Sequence, residues 1–135
     1  MEITEVRVRL VRNKNDDQLK AFCSITLDNE FVIRDVKVIQ GEHGYFIAMP
    51  SRRMGDRCAK CGAKNHLGAR FCNRCGNPLP ADRARKDADG RTKLHADVAH
   101  PISSDCRRRI QEALLGAYEE ELRRSRLPGY RPVED

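Results

Sequence analysis

Residues 31–49, FVIRDVKVIQGEHGYFIAM, hold two β-rich runs on either side of the turn-like segment QGEHG. β-Branched and aromatic side chains suit a pleated, half-buried surface, and glycine among polar residues suits a reversal. Working back toward the N-terminus, FCSITL is a further β-rich run, set off by DNE. In EVRVRLV, Val6, Val8 and Leu10 alternate with Arg7 and Arg9, which predicts a half-buried strand with a basic outer face. NKNDDQ reads as the polar turn after it. Four strands in meander order are the economical reading, and an α+β fold follows once the C-terminal segment is added.

Working forward from residue 49, the pattern changes. Cys58, Cys61, Cys72 and Cys75 form two C-x-x-C pairs, each followed at once by a glycine, Gly62 and Gly76. Each pair predicts a knuckle whose thiolates face one ion, because glycine turns the backbone without a side-chain clash while amides approach the sulfurs. The setting for a redox pair, a βαβ unit, is missing, and an iron site normally sits in a larger aromatic core than Phe71 offers. The expectation is one structural Zn2+ per chain. Four thiolates close the coordination sphere, so no position is left to activate water or substrate, and His66 is expected at the surface. Lys60, Lys64, Arg70 and Arg74 lie between the outer cysteines with no acid among them. They either offset the charge of a tetrathiolate site or form a patch for phosphate.

Beyond the cysteines, RARKDADGR lacks apolar periodicity and reads as linker or loop, and LHADVAH is expected to add a short fifth strand. Ser103 or Ser104 can cap a helix beginning near Asp105, whose apolar face is Ile110, Leu114, Ala117, Tyr118 and Leu122. That face should pack on the sheet. Arg107, Arg108 and Arg109 crowd the positive end of the helix dipole, which a bound phosphate would favour and a solvated face with Glu112 would also accommodate. The tail RLPGYRPVED has no periodic pattern, and its Pro and Gly argue for disorder.

Composition sets the outer bounds. With 135 residues the chain has room for a modest core, and 26 Lys and Arg against 20 Asp and Glu give a net charge of +6. An anionic partner is favoured over a membrane, since no run is long and apolar enough to span one. The N-terminus shows no apolar signal region, so a cytoplasmic protein is expected. Cys23 reads as a small buried residue and His100 as a structural hydrogen-bonding group, with no nucleophile placed by local pattern to partner it. Cys106, at a helix start beside Arg107, is a weak candidate for a redox switch. Aromatic residues are scarce, and the strands do not show the paired exposed aromatics of a single-strand stacking platform.

The flanks MEITEVRVRLV, LKAFCSITLDNEFVIRDVKVIQG, GYFIAMPSRR and DVAHPISSDCRRRIQEALLGAY resemble the sporulation stage V protein G family, also called septation regulators, with VIRDVKVI, AMPSRR and AHPIS in that order. The cysteine segment resembles short zinc-ribbon modules, and here it fills the place of the short hairpin that joins AMPS to AHPI in that family. The resemblance implies a small homodimer with a twisted antiparallel sheet and a C-terminal helix, binding DNA site-selectively and RNA as a second ligand; no enzymatic activity and no small-molecule substrate are expected, for want of an open metal site or a catalytic constellation. It divides the chain into a discontinuous domain over 1–53 and 91–125, an inserted ribbon over 54–83, a linker over 84–90 and a flexible tail over 126–135. Arg52, Arg53 and Arg107 fall at the family's basic positions; Lys93, Arg108 and the four ribbon cations complete the expected nucleic-acid contacts, with the ribbon enlarging a footprint the flanks create. The alternative is an adaptor whose ribbon binds another protein.

Overall fold

The computed structural model describes residues 1–12 and 18–133; the predicted NKNDDQ turn lies largely outside them. The chain forms two compact units, one made of 1–50 with 99–135, the other of 51–98. Among the described residues no helix is long and apolar enough to cross a membrane.

The first unit is the expected meander. Strands β1 (Ile3–Leu10), β2 (Leu19–Leu27), β3 (Phe31–Gly41) and β4 (Gly44–Ala48) pair antiparallel in the order β1-β2-β3-β4. The hairpin of residues 31–49 closes with Gly41 opposite Gly44, and Gly44 has φ 120°, which a side chain would strain. Helix α1 (Ser104–Ser125) begins as its sequence predicts: the Cys106 N–H donates to the Ser103 hydroxyl at 3.1 Å. Its buried Ile110, Leu114 and Tyr118 meet Val8, Ala21, Cys23, Ile25, Val36 and Val38 from one face of the sheet.

That face stays apolar along β3 because of one irregularity. Ile33 pairs with Ile25 and Val36 with Cys23, a register shift centred on Asp35, whose φ is 61°. Ile33 and Val36 are three apart, so a regular strand would point them to opposite faces; the bulge returns both to the core.

The tail, the fifth strand, the unit boundaries and the linker depart from the sequence reading. The tail is tied down as far as Tyr130, whose hydroxyl donates to Glu121 Oε1 at 2.7 Å and whose ring lies 5.4 Å from the Arg12 guanidinium carbon. Glu121 is buried on α1 and also accepts from Arg124 at 2.8 Å, so charge pairing holds a segment that composition marks as disordered. The predicted fifth strand forms as β8 (His95–Asp97), but it pairs with β5 (Ser51–Arg53) and not with the meander. Pro50, lacking an N–H, separates β4 from β5 and starts a new ladder.

The second unit contains β5, β8 and a further pair, β6 (Gly55–Arg57) with β7 (Lys64–His66). Its edges at 50/51 and 98/99 leave Ser51–Arg53 and residues 91–98 with the cysteine segment. Residues 84–90, read as linker, form a small reversal: Asp87 Oδ1 accepts from the Asp89 and Arg91 N–H groups at 2.9 and 3.0 Å, and Lys86 bridges to Thr92. The polar side chain supplies the turn that apolar periodicity could not signal.

Candidate metal centre and basic surface

The two C-x-x-C segments fold alike. In each, the glycine N–H donates back to the carbonyl of the first cysteine, Gly62 to Cys58 at 2.9 Å and Gly76 to Cys72 at 3.0 Å. Both glycines have φ 77°, where any side chain would be strained. The first sulfur of each pair accepts a backbone N–H at 3.4 Å, Cys58 from Lys60 and Cys72 from Arg74. These repeated turns aim all four sulfurs inward.

The Sγ atoms lie within 4.8 Å of one another, with Cys58 to Cys75 at 3.8 Å and Cys61 to Cys72 at 3.5 Å. A tetrahedron with metal–sulfur bonds of about 2.3 Å has edges of about 3.8 Å, so the donor set fits a zinc ion. The protons are not shared evenly. Cys72 is pulled down to about 5, first by the Cys75 N–H, then by Asn65 and by the Arg74 N–H. Cys61 is pushed up to about 11: the Ala63 N–H lowers it, but burial and the three other sulfurs together outweigh that donor. Four like charges cannot coexist at this spacing without a cation among them.

Two side chains outside the cysteines build the module. Asn65 is buried; its Oδ1 accepts from the Asn73 N–H at 2.8 Å and its Nδ2 donates to the Ala63 carbonyl at 3.2 Å, which joins the first knuckle to the second. Arg83, 11% exposed, pairs with Asp56 and donates to the carbonyls of Ala69 at 2.9 Å and Pro80 at 3.0 Å. Neither role has a local sequence signal, since the crosslinking partners, Asn73 for Asn65 and Asp56 and Ala69 for Arg83, are 8 to 27 residues away. His66 is exposed on β7, and its side chain stands outside the group of four sulfurs.

Arg52 and Arg53 on β5, Lys64 on β7, and Lys60, Arg70, Arg74 and Lys93 in the connecting segments are all exposed and all lie in the 51–98 unit. Arg107 and Arg108 lie in the other unit, at the start of α1. Arg108 is paired with Asp105 at 2.7 Å and faces Glu112 at 3.8 Å, so its charge is partly answered on its own helix. Arg107 borders a depression of about 520 Å³ together with Ser103, Ser104 and Gln111. Unit charges diverge: residues 51–98 hold 12 Lys and Arg against 5 Asp, a formal +7, while the rest, with 14 against 15, is at −1.

The SpoVG family model matches residues 1–120. A relative from Finegoldia magna with the provisional name septation protein SpoVG is 36% identical over 135 residues, covering 100% of this chain and 90% of that protein. One of the same name from Thermoanaerobacter pseudethanolicus is 40% identical over 119 residues, 88% of each chain. A third, from Anaeromyxobacter sp. (strain K), is 37% identical over 140 residues, with both chains covered in full.

Proposed function

The chain belongs to the SpoVG family, and from that premise we propose that it is a nucleic-acid-binding regulator, not an enzyme, whose Cys58, Cys61, Cys72 and Cys75 hold one structural zinc ion. The observation that carries this reading is the charge division: the unit built around the cysteines holds a formal +7 and the remainder −1. A polyanion is the partner such a surface favours, because each cation set on a phosphate releases condensed counterions. DNA is the first expected ligand and RNA the second. Zinc, when bound, supplies a rigid fourfold crosslink and offsets two of the four thiolate charges, so the loaded unit stays basic at about +5 and its Lys60, Lys64, Arg70 and Arg74 remain attractive to a phosphate backbone. Phe71, 62% exposed beside Arg70, favours the adaptor reading, since an aromatic anchor suits a protein groove.

The 1–50 and 99–135 unit is the expected site of homodimerisation, because a small core with open β edges gains from pairing. Native mass spectrometry of protein purified from cells tests metal and assembly together. It should show one zinc per chain and two chains per particle, and crosslinking before purification should recover nucleic acid on residues 51–98. Iron in the site, a monomer at micromolar concentration, or crosslinks to protein alone would each remove the corresponding part of the proposal.

A further inference from the structure

Helix α1 covers one face of the β1–β4 sheet, so the other face is an antiparallel surface turned to solvent. Strand β1 places Arg7 and Arg9 there, and the Asp35 bulge adds Arg34 and Lys37 from β3. Those two are three residues apart, and only the inserted position at Asp35 brings both to the outer face while Ile33 and Val36 turn inward. Without the bulge, one of the two cations would point into the core.

The cations are interleaved with aromatic rings. Arg9, Phe22 and Lys37 are direct neighbours across β1, β2 and β3, and the Arg9 guanidinium carbon stands 5.1 Å from the Phe22 ring centroid. Phe46 on β4 is opposite Ile39 and 46% exposed. Its ring lies against Gly41, where an added Cβ would come within 3.1 Å of Phe46 Cε1, so the ring is laid down on the sheet. Arg7 and Arg34 border a shallow concavity of about 210 Å³ lined also by the hydroxyl side chains Ser24 and Thr26. Glu5 is the acid of this concavity and is paired with Arg7 at 2.6 Å.

We propose that this face binds a single strand of nucleic acid, with phosphates on Arg7, Arg34 and Lys37 and unstacked bases on Phe46 and on the Arg9 guanidinium that covers Phe22. It rests on the nucleic-acid reading given above and deepens it. Sequence composition argued against such a platform, because Phe22 and Phe46 lie on different strands and only the register puts them on one face. Their separation is on the order of 12 Å, two strand spacings and one two-residue step, which two bases of a splayed strand can bridge. A second copy of the sheet fits poorly, since a twofold interface would bring two copies of the same cation-rich patch together. Duplex also fits poorly, because its bases offer the rings no open face.

The test uses full-length, zinc-loaded protein, a fluorescein-labelled oligo(dU) strand and a duplex of equal length. Phe46→Ala should weaken single-strand binding roughly fivefold or more and leave duplex binding within about twofold, and Phe46→Tyr should restore it. Arg34→Gln with Lys37→Gln should flatten the single-strand slope of log affinity against log salt by about 1.4 units, near 0.7 for each phosphate contact. Unchanged circular dichroism and zinc content exclude misfolding. If both sheet variants bind the strand as wild type does while Arg52→Gln with Arg53→Gln loses it, the face is not the site although the protein binds nucleic acid. If the sheet variants change the sedimenting mass and not the affinity, the face joins two copies, which also overturns the proposal. Wild type that binds neither probe removes the underlying functional reading itself.

Discussion

Arg83 shows how much of the cysteine unit rests on a single side chain. Its guanidinium pairs with Asp56 on β6 and closes on the Ala69 and Pro80 carbonyls, so loss of it leaves several acceptors without a donor. Arg83→Ala should destabilise the zinc-loaded unit by about 2–3 kcal/mol, the range for hydrogen bonds to a charged group, and Arg83→Lys should not restore it because an ammonium cannot span the same fork. Thermal unfolding of both variants decides this; equal midpoints for Arg83→Lys and wild type would show that charge alone suffices. In the other unit, Tyr118 is pushed up to about 12, first by burial and then by the neighbouring Tyr45. A folded value above the ordinary 10 means the neutral phenol is favoured by folding, so its contribution is complete below pH 10 and lost between 10 and about 12. Tyrosinate absorbance should rise for Tyr118 together with loss of helix signal in that window, and Tyr118→Phe should extend the folded range upward. An early tyrosinate signal with helix intact would contradict the burial. At this scale the cysteines, glycines and Ser103 were legible in the sequence because each acts on neighbours in the chain. Asn65 and Arg83 were not, because Asn73 for the one and Asp56 and Ala69 for the other are brought to them by folding.

Among elements, the hairpin of residues 31–49 was readable except at its one irregular position. Strict alternation in FVIRDVKVI cannot place Ile33, Val36 and Val38 together, and Asp35 at φ 61° resolves the conflict. A β-branched residue is costly in that conformation and glycine is not. Asp35→Val should therefore lower the stability of the sheet by about 1–2 kcal/mol, whereas Asp35→Gly should be close to neutral. Denaturant midpoints followed by helix signal check the ordering. If both variants are equally unstable, the Asp35 side chain itself holds the strand. The meander and helix α1 followed from periodicity and capping. The destination of β8 did not, since a three-residue strand carries no pattern that distinguishes a place beside β4 from a place beside β5.

For the whole molecule, family membership and the four-strand, one-helix fold were legible from phrases on either side of the cysteines. The distribution of charge was not, because it depends on where the units divide. The sequence reading counted Arg52 and Arg53 with the sheet and the ribbon cations as an addition; contact boundaries instead gather Arg52, Arg53, Lys93 and the ribbon cations into one unit at +7. That unit is the proposed main electrostatic contact with nucleic acid, and zinc is the ion proposed to hold it in shape. The most direct test is a salt titration of duplex binding by wild type and by the full-length variant with Lys60, Lys64, Arg70 and Arg74 changed to Gln. Each neutralised phosphate contributes about −0.9 to the slope of log affinity against log salt, so the variant should be flatter by roughly one to three units, with zinc content unchanged. A variant with the wild-type slope and affinity would show that the ribbon cations do not meet phosphate, and the proposed function would be contradicted at its centre.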